Sequence, residues 1–160
     1  MSQYGEVWTF TRGRLQQAYQ DLSDAQLRWR PYAGAHSIGE MVYHVAGVET
    51  WFAVRMGELR RTAELEKLAD AARATYITDD AFPFVDADMT LHGLDVALEV
   101  AHALIAPIIE LPNEHHLTMQ VETVIGPVVN GVACLWRVAQ HAAYHTGQIW
   151  TYRMDPRFPG

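Results

Sequence analysis

Apolar residues return with the period of an α-helix through four long stretches of this chain, and short polar or proline-containing breaks separate them. The first stretch, from about Tyr4 to Asp21, places Val7, Phe10, Leu15 and Ala18 on one expected inward stripe. It ends in the turn-like Asp21-Leu22-Ser23-Asp24, and Arg30-Pro31 is extended because proline disfavours the helical conformation of its predecessor. The second has the clearest start. Ser37-Ile38-Gly39-Glu40 fits a capping box, in which serine and glutamate satisfy free backbone amides, and the helix runs to Met56-Gly57, a natural stop. A long crossover, Glu58 to Met89, contains a short helix over Thr62 to Ala74 and then an irregular stretch with Asp79-Asp80 and Pro83. The third long helix spans Thr90 to Leu111, with Leu94, Leu98, Ala101, Ile105 and Ile108 on one side and an expected kink at Pro107. After a β-like run from Leu117 to Val124, Gly126-Pro127 turns the chain into a fourth helix, Asn130 to Met154. The expected architecture is all-α, a four-helix bundle with a long crossover between helices 2 and 3, in one domain over residues 1–160. In such a layout, side chains on facing helices meet in the core.

Composition narrows the classes of function. A length of 160 residues suits one domain with one sizeable core. No apolar run approaches the ~18 residues of a membrane span, so a soluble protein with no membrane partner is expected. The net charge of -7 argues against nucleic acid, whose phosphates are bound by clustered Lys and Arg. The one basic cluster, Arg60-Arg61, is too small to change that. The start, Met1-Ser2-Gln3-Tyr4-Gly5-Glu6, has neither the basic nor the apolar part of a secretory signal, and Cys134 is the single cysteine, so a cytoplasmic location is expected.

The chemistry lies in the histidines. His141 and His145 are four apart on the fourth helix, where residues i and i+4 are stacked neighbours able to reach one divalent ion. Helical spacing puts them in line with Cys134, Val138, Gln148 and Tyr152, with Trp136 and Trp150 on the far side. On the second helix His44 shares a stripe with Met41, Val48, Trp51 and Arg55, mostly the core face. Three imidazoles aimed at one core need either separate hydrogen-bond partners or a shared ion. Glu49 sits about 140° around the helix from His44, away from that site. Gln148, one turn beyond His145, can orient a bound water or substrate or make a plain core hydrogen bond. Trp51 and Tyr144 can wall a pocket or serve as packing. His102 reads as a pocket-edge or satisfied core histidine, Cys134 as a small hydrophobe, and His36, His92, His115 and His116 as exposed.

These residues carry a resemblance. His44 within Ser37-Ile38-Gly39-Glu40-Met41-Val42-Tyr43-His44, the run His141-Ala142-Ala143-Tyr144-His145-Thr146-Gly147-Gln148, and upstream Leu27-Arg28-Trp29-Arg30-Pro31 together resemble the DinB/YfiT-like proteins. These are four-helix bundles with one histidine on the second helix and a His-x-x-x-His pair on the fourth. Thr146 stands where the family commonly has arginine, and Ala142 where many members have an acidic residue. The resemblance implies His44, His141 and His145 as ligands of a divalent transition metal. Three neutral imidazoles with one open position make a catalytic type of site, suited to zinc or nickel, where a bound water or thiol ionises readily. Hydrolysis and thiol S-transfer are the two reaction classes, on a small-molecule substrate. Relatives that use low-molecular-weight thiols such as bacillithiol or mycothiol tilt the expectation toward transfer. The alternative is a non-catalytic metal-binding or sensing bundle. Aromatic residues off the core stripes, such as Trp136 and Trp150, make a homodimer a further expectation.

Overall fold

Each long helix starts where a small polar side chain can take the place of a missing backbone acceptor. Ser2 opens α1 (Gln3–Tyr19), Ser37 opens α3 (Ile38–Met56), Thr90 opens α5 (Leu91–Glu110) and Asn130 opens α7 (Gly131–Arg153), each accepting from a backbone N–H three residues on. At α3 the capping box is complete, because the Glu40 side chain also accepts from the Ser37 amide. Shorter helices lie between: α2 (Asp24–Arg28), α4 (Ala63–Asp70) and α6 (Glu114–Thr118), with a 3₁₀ turn at Asp86–Asp88. Two antiparallel strands, β1 (Gln120–Thr123) and β2 (Gly126–Asn130), form the small sheet and pair Val121 with Val129. This computed structural model describes residues 1–123 and 126–160, with the side chains of 126 and 127 excepted.

Packing follows the apolar stripes. α1 lies along α7 and α3 along α5, while α3 also meets α7 and α1 meets α5. α4 rests on α3. One buried cluster gathers Leu15, Leu27, Ile38, Met41 and Leu94; a second gathers Trp8, Met56, Ile105, Ile109 and Leu135. Full burial of each such large side chain contributes about 1.5–3 kcal/mol. The expected inward set of α5, Leu94, Leu98, Ala101, Ile105 and Ile108, is buried throughout.

Several expectations need correction. In α1 the inward stripe runs through Tyr4, Trp8, Thr11, Leu15 and Ala18, and Phe10 is 69% exposed. Phe10 lies two residues from Trp8, far around the helix from the buried face, so apolar character there misled the reading. The segment Asp24–Arg28, read as following a turn, forms a helical turn with its own Ser23–Gln26 capping box. Gly126-Pro127 does not lead straight into the last helix but opens β2, and Leu117 belongs to α6; Val124, the expected end of the β-like run, lies outside the described residues. Gly57 ends α3 as expected, yet with φ -91°, so it is not there for a left-handed turn. A Cβ on it would meet Ala53 O at 2.9 Å and Ile108 Cδ1 at 3.1 Å. α5 continues through Pro107 to Glu110. It is also 20 residues long with a mean hydropathy of 1.4 in its most apolar window, long and apolar enough to cross a membrane by length and composition, contrary to the expectation that no run approaches that length.

One close approach positions the site. At Gly47, α3 meets the end of α4 so tightly that a Cβ would lie 2.7 Å from Leu68 O and 2.8 Å from Ala72 N. Only a glycine lets the Leu68–Ala72 backbone come this near, and that segment supplies the carbonyl that holds His44.

Candidate metal centre

α3 and α7 bring His44, His141 and His145 together, with one ring nitrogen from each lying within 4.8 Å of the others. Ring centroids are 4.7 to 5.0 Å apart. His44 and His145 are buried and His141 is half-buried. His44 Nδ1 is 2.8 Å from Ala71 O. A carbonyl only accepts, so Nδ1 carries the proton and donates it, leaving the Nε2 lone pair free for a ligand bond.

The other two rings have no such partner. His141 Nε2 and both ring nitrogens of His145 are buried without a hydrogen bond among the described residues. Each orphaned polar atom of this kind costs about 1–3 kcal/mol, so several at one point are explained best by a shared partner. Burial, reinforced by the neighbouring imidazoles, pulls all three histidines down to about 3. They are therefore neutral at pH 7, the form that ligates. Nitrogens about 2.0–2.1 Å from one tetrahedral ion stand a little over 3 Å apart, so modest closure of the present cluster suffices. The donor set fits a borderline transition metal.

Aromatic stacking braces the cluster. Tyr76 stacks on His44 with centroids 3.8 Å apart and an interplanar angle of 15°, and His36 stacks on the other face of Tyr76 at 3.7 Å and 5°. Tyr76 also meets His145 edge-on at 6.0 Å. The preceding residue, Thr75, has φ 62°, a left-handed conformation that costs a β-branched residue about 1–2 kcal/mol. The Thr75 amide donates to Thr78 O at 3.0 Å.

The three histidines line an open cavity of about 570 Å³. Val48, Trp51, Phe52 and Ile77 supply apolar lining, and Arg73, Tyr76, Thr123, Arg137, Gln140 and Tyr144 supply polar lining. Of the two roles open to Trp51 and Tyr144, wall or packing, the structure places both in the cavity lining, and Arg55 sits 3.5 Å over the Trp51 ring. Gln148 is half-buried near His145, close enough to favour its charged form, but makes no hydrogen bond of ordinary geometry to the ring and does not line the cavity. Glu49 lies away from the histidines, as the helical angle required. It is fully buried, accepting from Trp8 Nε1 at 2.8 Å and from Arg12. Burial pushes its carboxyl up, against the opposing pull of Arg12.

His102 stacks on Trp8 at 5.1 Å, exposed at the edge of a different cavity between α1 and α5. Cys134 is buried, and burial pushes its thiol up to about 11, as befits an unreactive core residue. Ala142 is buried in the core, and the Thr146 hydroxyl donates to Ala142 O at 2.7 Å, so both departures from the family pattern are absorbed within α7. Trp136 and Trp150 are partly exposed, packed on Tyr4 and under Arg153. Sequence reasoning missed Tyr76, His36, expected to be exposed but half-buried against that ring, and Arg137. The first two lie outside any periodic stretch, but Arg137, four residues before His141, was open to the same spacing argument as the histidine pair.

A family model described as the DinB superfamily matches residues 8–149, a span that includes all three histidines. No curated protein matches the chain.

Proposed function

The chain belongs to the DinB superfamily, and from that premise we propose a metal-dependent enzyme acting on a small molecule, in which His44, His141 and His145 of a single four-helix-bundle domain hold a divalent ion, zinc or nickel. One observation carries the reading: buried, neutral imidazoles with unpaired ring nitrogens converge at the wall of an open cavity. Three ligands leave a position for a reactant, unlike a structural site closed by four. When bound, a divalent ion lowers the proton affinity of an incoming thiol or water, which gives thiol S-transfer or hydrolysis. The resemblance to thiol-using relatives favours transfer, with a low-molecular-weight thiol as substrate.

The chain's own groups prepare that chemistry. Ala71 O and the Tyr76 ring set the tautomer and plane of His44. Val48, Trp51, Phe52 and Ile77 keep water from one side of the cavity. Gln148, beside His145, is proposed to orient that ring or the reactant by a small side-chain movement.

Elemental analysis tests the reading directly, on untagged protein purified without chelator and on its His145→Ala variant. About one equivalent of zinc or nickel per chain, lost in the variant, is expected; no metal after reconstitution would overturn the site. Turnover with a panel of thiols and esters should then disappear on chelation. A loaded protein inert toward the whole panel would favour the non-catalytic, sensing alternative.

A further inference from the structure

The cavity beside the histidines carries fixed charge of one sign. Arg73 and Arg137 line it, and among the described residues no Asp or Glu does. Arg73 is committed elsewhere, 3.2 Å from Asp70 and 2.9 Å from Asp80. Arg137 is half-buried and makes neither an ion pair nor a side-chain hydrogen bond among the described residues. Residues 124–127 are Val, Ile, Gly and Pro, which carry no carboxylate to offer it. In a chain with 19 acidic residues against 12 Lys and Arg, a partly desolvated guanidinium without an acid needs an explanation.

Placement supplies one. Arg137 and His141 are four apart on α7, so they share a face about 6 Å apart along the axis and both reach the cavity. Guanidinium presents a planar fork of donors that matches carboxylate and phosphate oxygens two at a time. The same cavity is lined by Trp51, Phe52 and Ile77. We propose that Arg137 is the anion-recognising residue of this cavity. Its ligand is then a small organic anion, carboxylate or phosphate, whose apolar part lies against the aromatic wall while its reacting atom is one helical turn away at the histidines. The position of that reacting atom rests on the metal reading above; recognition of the anion by Arg137 does not.

Calorimetric titration of the protein as purified with 3-phenylpropionate, phenyl phosphate and the neutral 3-phenylpropan-1-ol tests this. At least one anion should bind about tenfold tighter than the alcohol, the scale of one charge-assisted hydrogen-bonded contact, and the tighter of the two identifies the anion type. Arg137→Gln should bring the preference to within about twofold, and Arg137→Lys, which keeps the charge but not the planar fork, should keep only part of it. Because an anion can also ligate an ion directly, His145→Ala is the control, and it should retain the preference. Equal binding of anions and alcohol, no binding of any probe, or a preference that survives in Arg137→Gln would each overturn the proposal, as would its loss in His145→Ala. Metal content of the same wild-type sample reports separately on the histidine site, so the two readings fail independently.

Discussion

His44, His141 and His145 each lose a preference for protons when the chain folds, because burial penalises the imidazolium and the neighbouring rings add to the penalty. Their folded values, about 3, lie below the unfolded value near 6.5, so the unfolded chain binds more protons through that window. Stability from these groups is therefore complete above about pH 6.5 and is lost as pH falls toward 3. For metal-free protein, lowering the pH from 7 to 5 should cost about 1–2 kcal/mol per histidine, least for half-buried His141. Urea denaturation at intervals across that range checks it, and a flat profile would refute the buried, neutral description. At this scale the helical period showed three histidines on inward faces, since residue types four apart on α7 and a lone histidine on the apolar stripe of α3 are visible in a string of letters, and the family resemblance joined them into a ligand set. It could not reveal Tyr76, which meets His44 from the irregular crossover, or His36, which stacks on Tyr76 from the loop before α3, because no period relates sequence position to direction in either segment.

Between elements, the decisive contact is the crossing of α3 with the end of α4. Gly47 is a helix-interior residue in which the missing side chain, rather than the backbone conformation, matters. Gly47→Ala would drive a Cβ into Leu68 O and Ala72 N, neither of which can rotate away. The expected result is a loss of about 1–3 kcal/mol and a displaced Ala71 carbonyl. Because that carbonyl orients His44, zinc affinity should also fall by about tenfold, as for other changes to groups that hold a ligand in place. Competition with a chromophoric chelator and urea midpoints measure the two effects; neither changing would show that the crossing has slack. Helix existence was legible because the caps at Ser37, Thr90 and Asn130 are local signals. The closeness of α4 to α3 was not, since a glycine within a helical pattern says only that a side chain is absent and not what occupies its place.

For the molecule as a whole, an ion held jointly by α3 and α7 would tie together elements that otherwise meet only through side-chain packing. Free metal at about one hundred times its Kd should add about 2.7 kcal/mol to stability, so chelation should lower Tm by several degrees and zinc should restore it. The same experiment on His145→Ala should show no response; a response there would place the ion elsewhere. The sequence by itself determined the helical class, the starts of the long helices, the inward set of α5 and the inward direction of the three histidines, because each depends on local spacing and capping; that they form one ligand set was implied by the family resemblance. It misjudged Phe10 and the Gly126-Pro127 segment, where the choice of face or partner depends on what lies opposite. Only the tertiary structure decided that three rings from two helices share one buried point, that Ala71 and Tyr76 brace one of them, and that Arg137 shares its cavity with apolar residues and has no acidic partner among the described residues. Burial and the loss of polar partners are properties of many segments meeting in space, and those are the quantities that turn a spacing of histidines into a site.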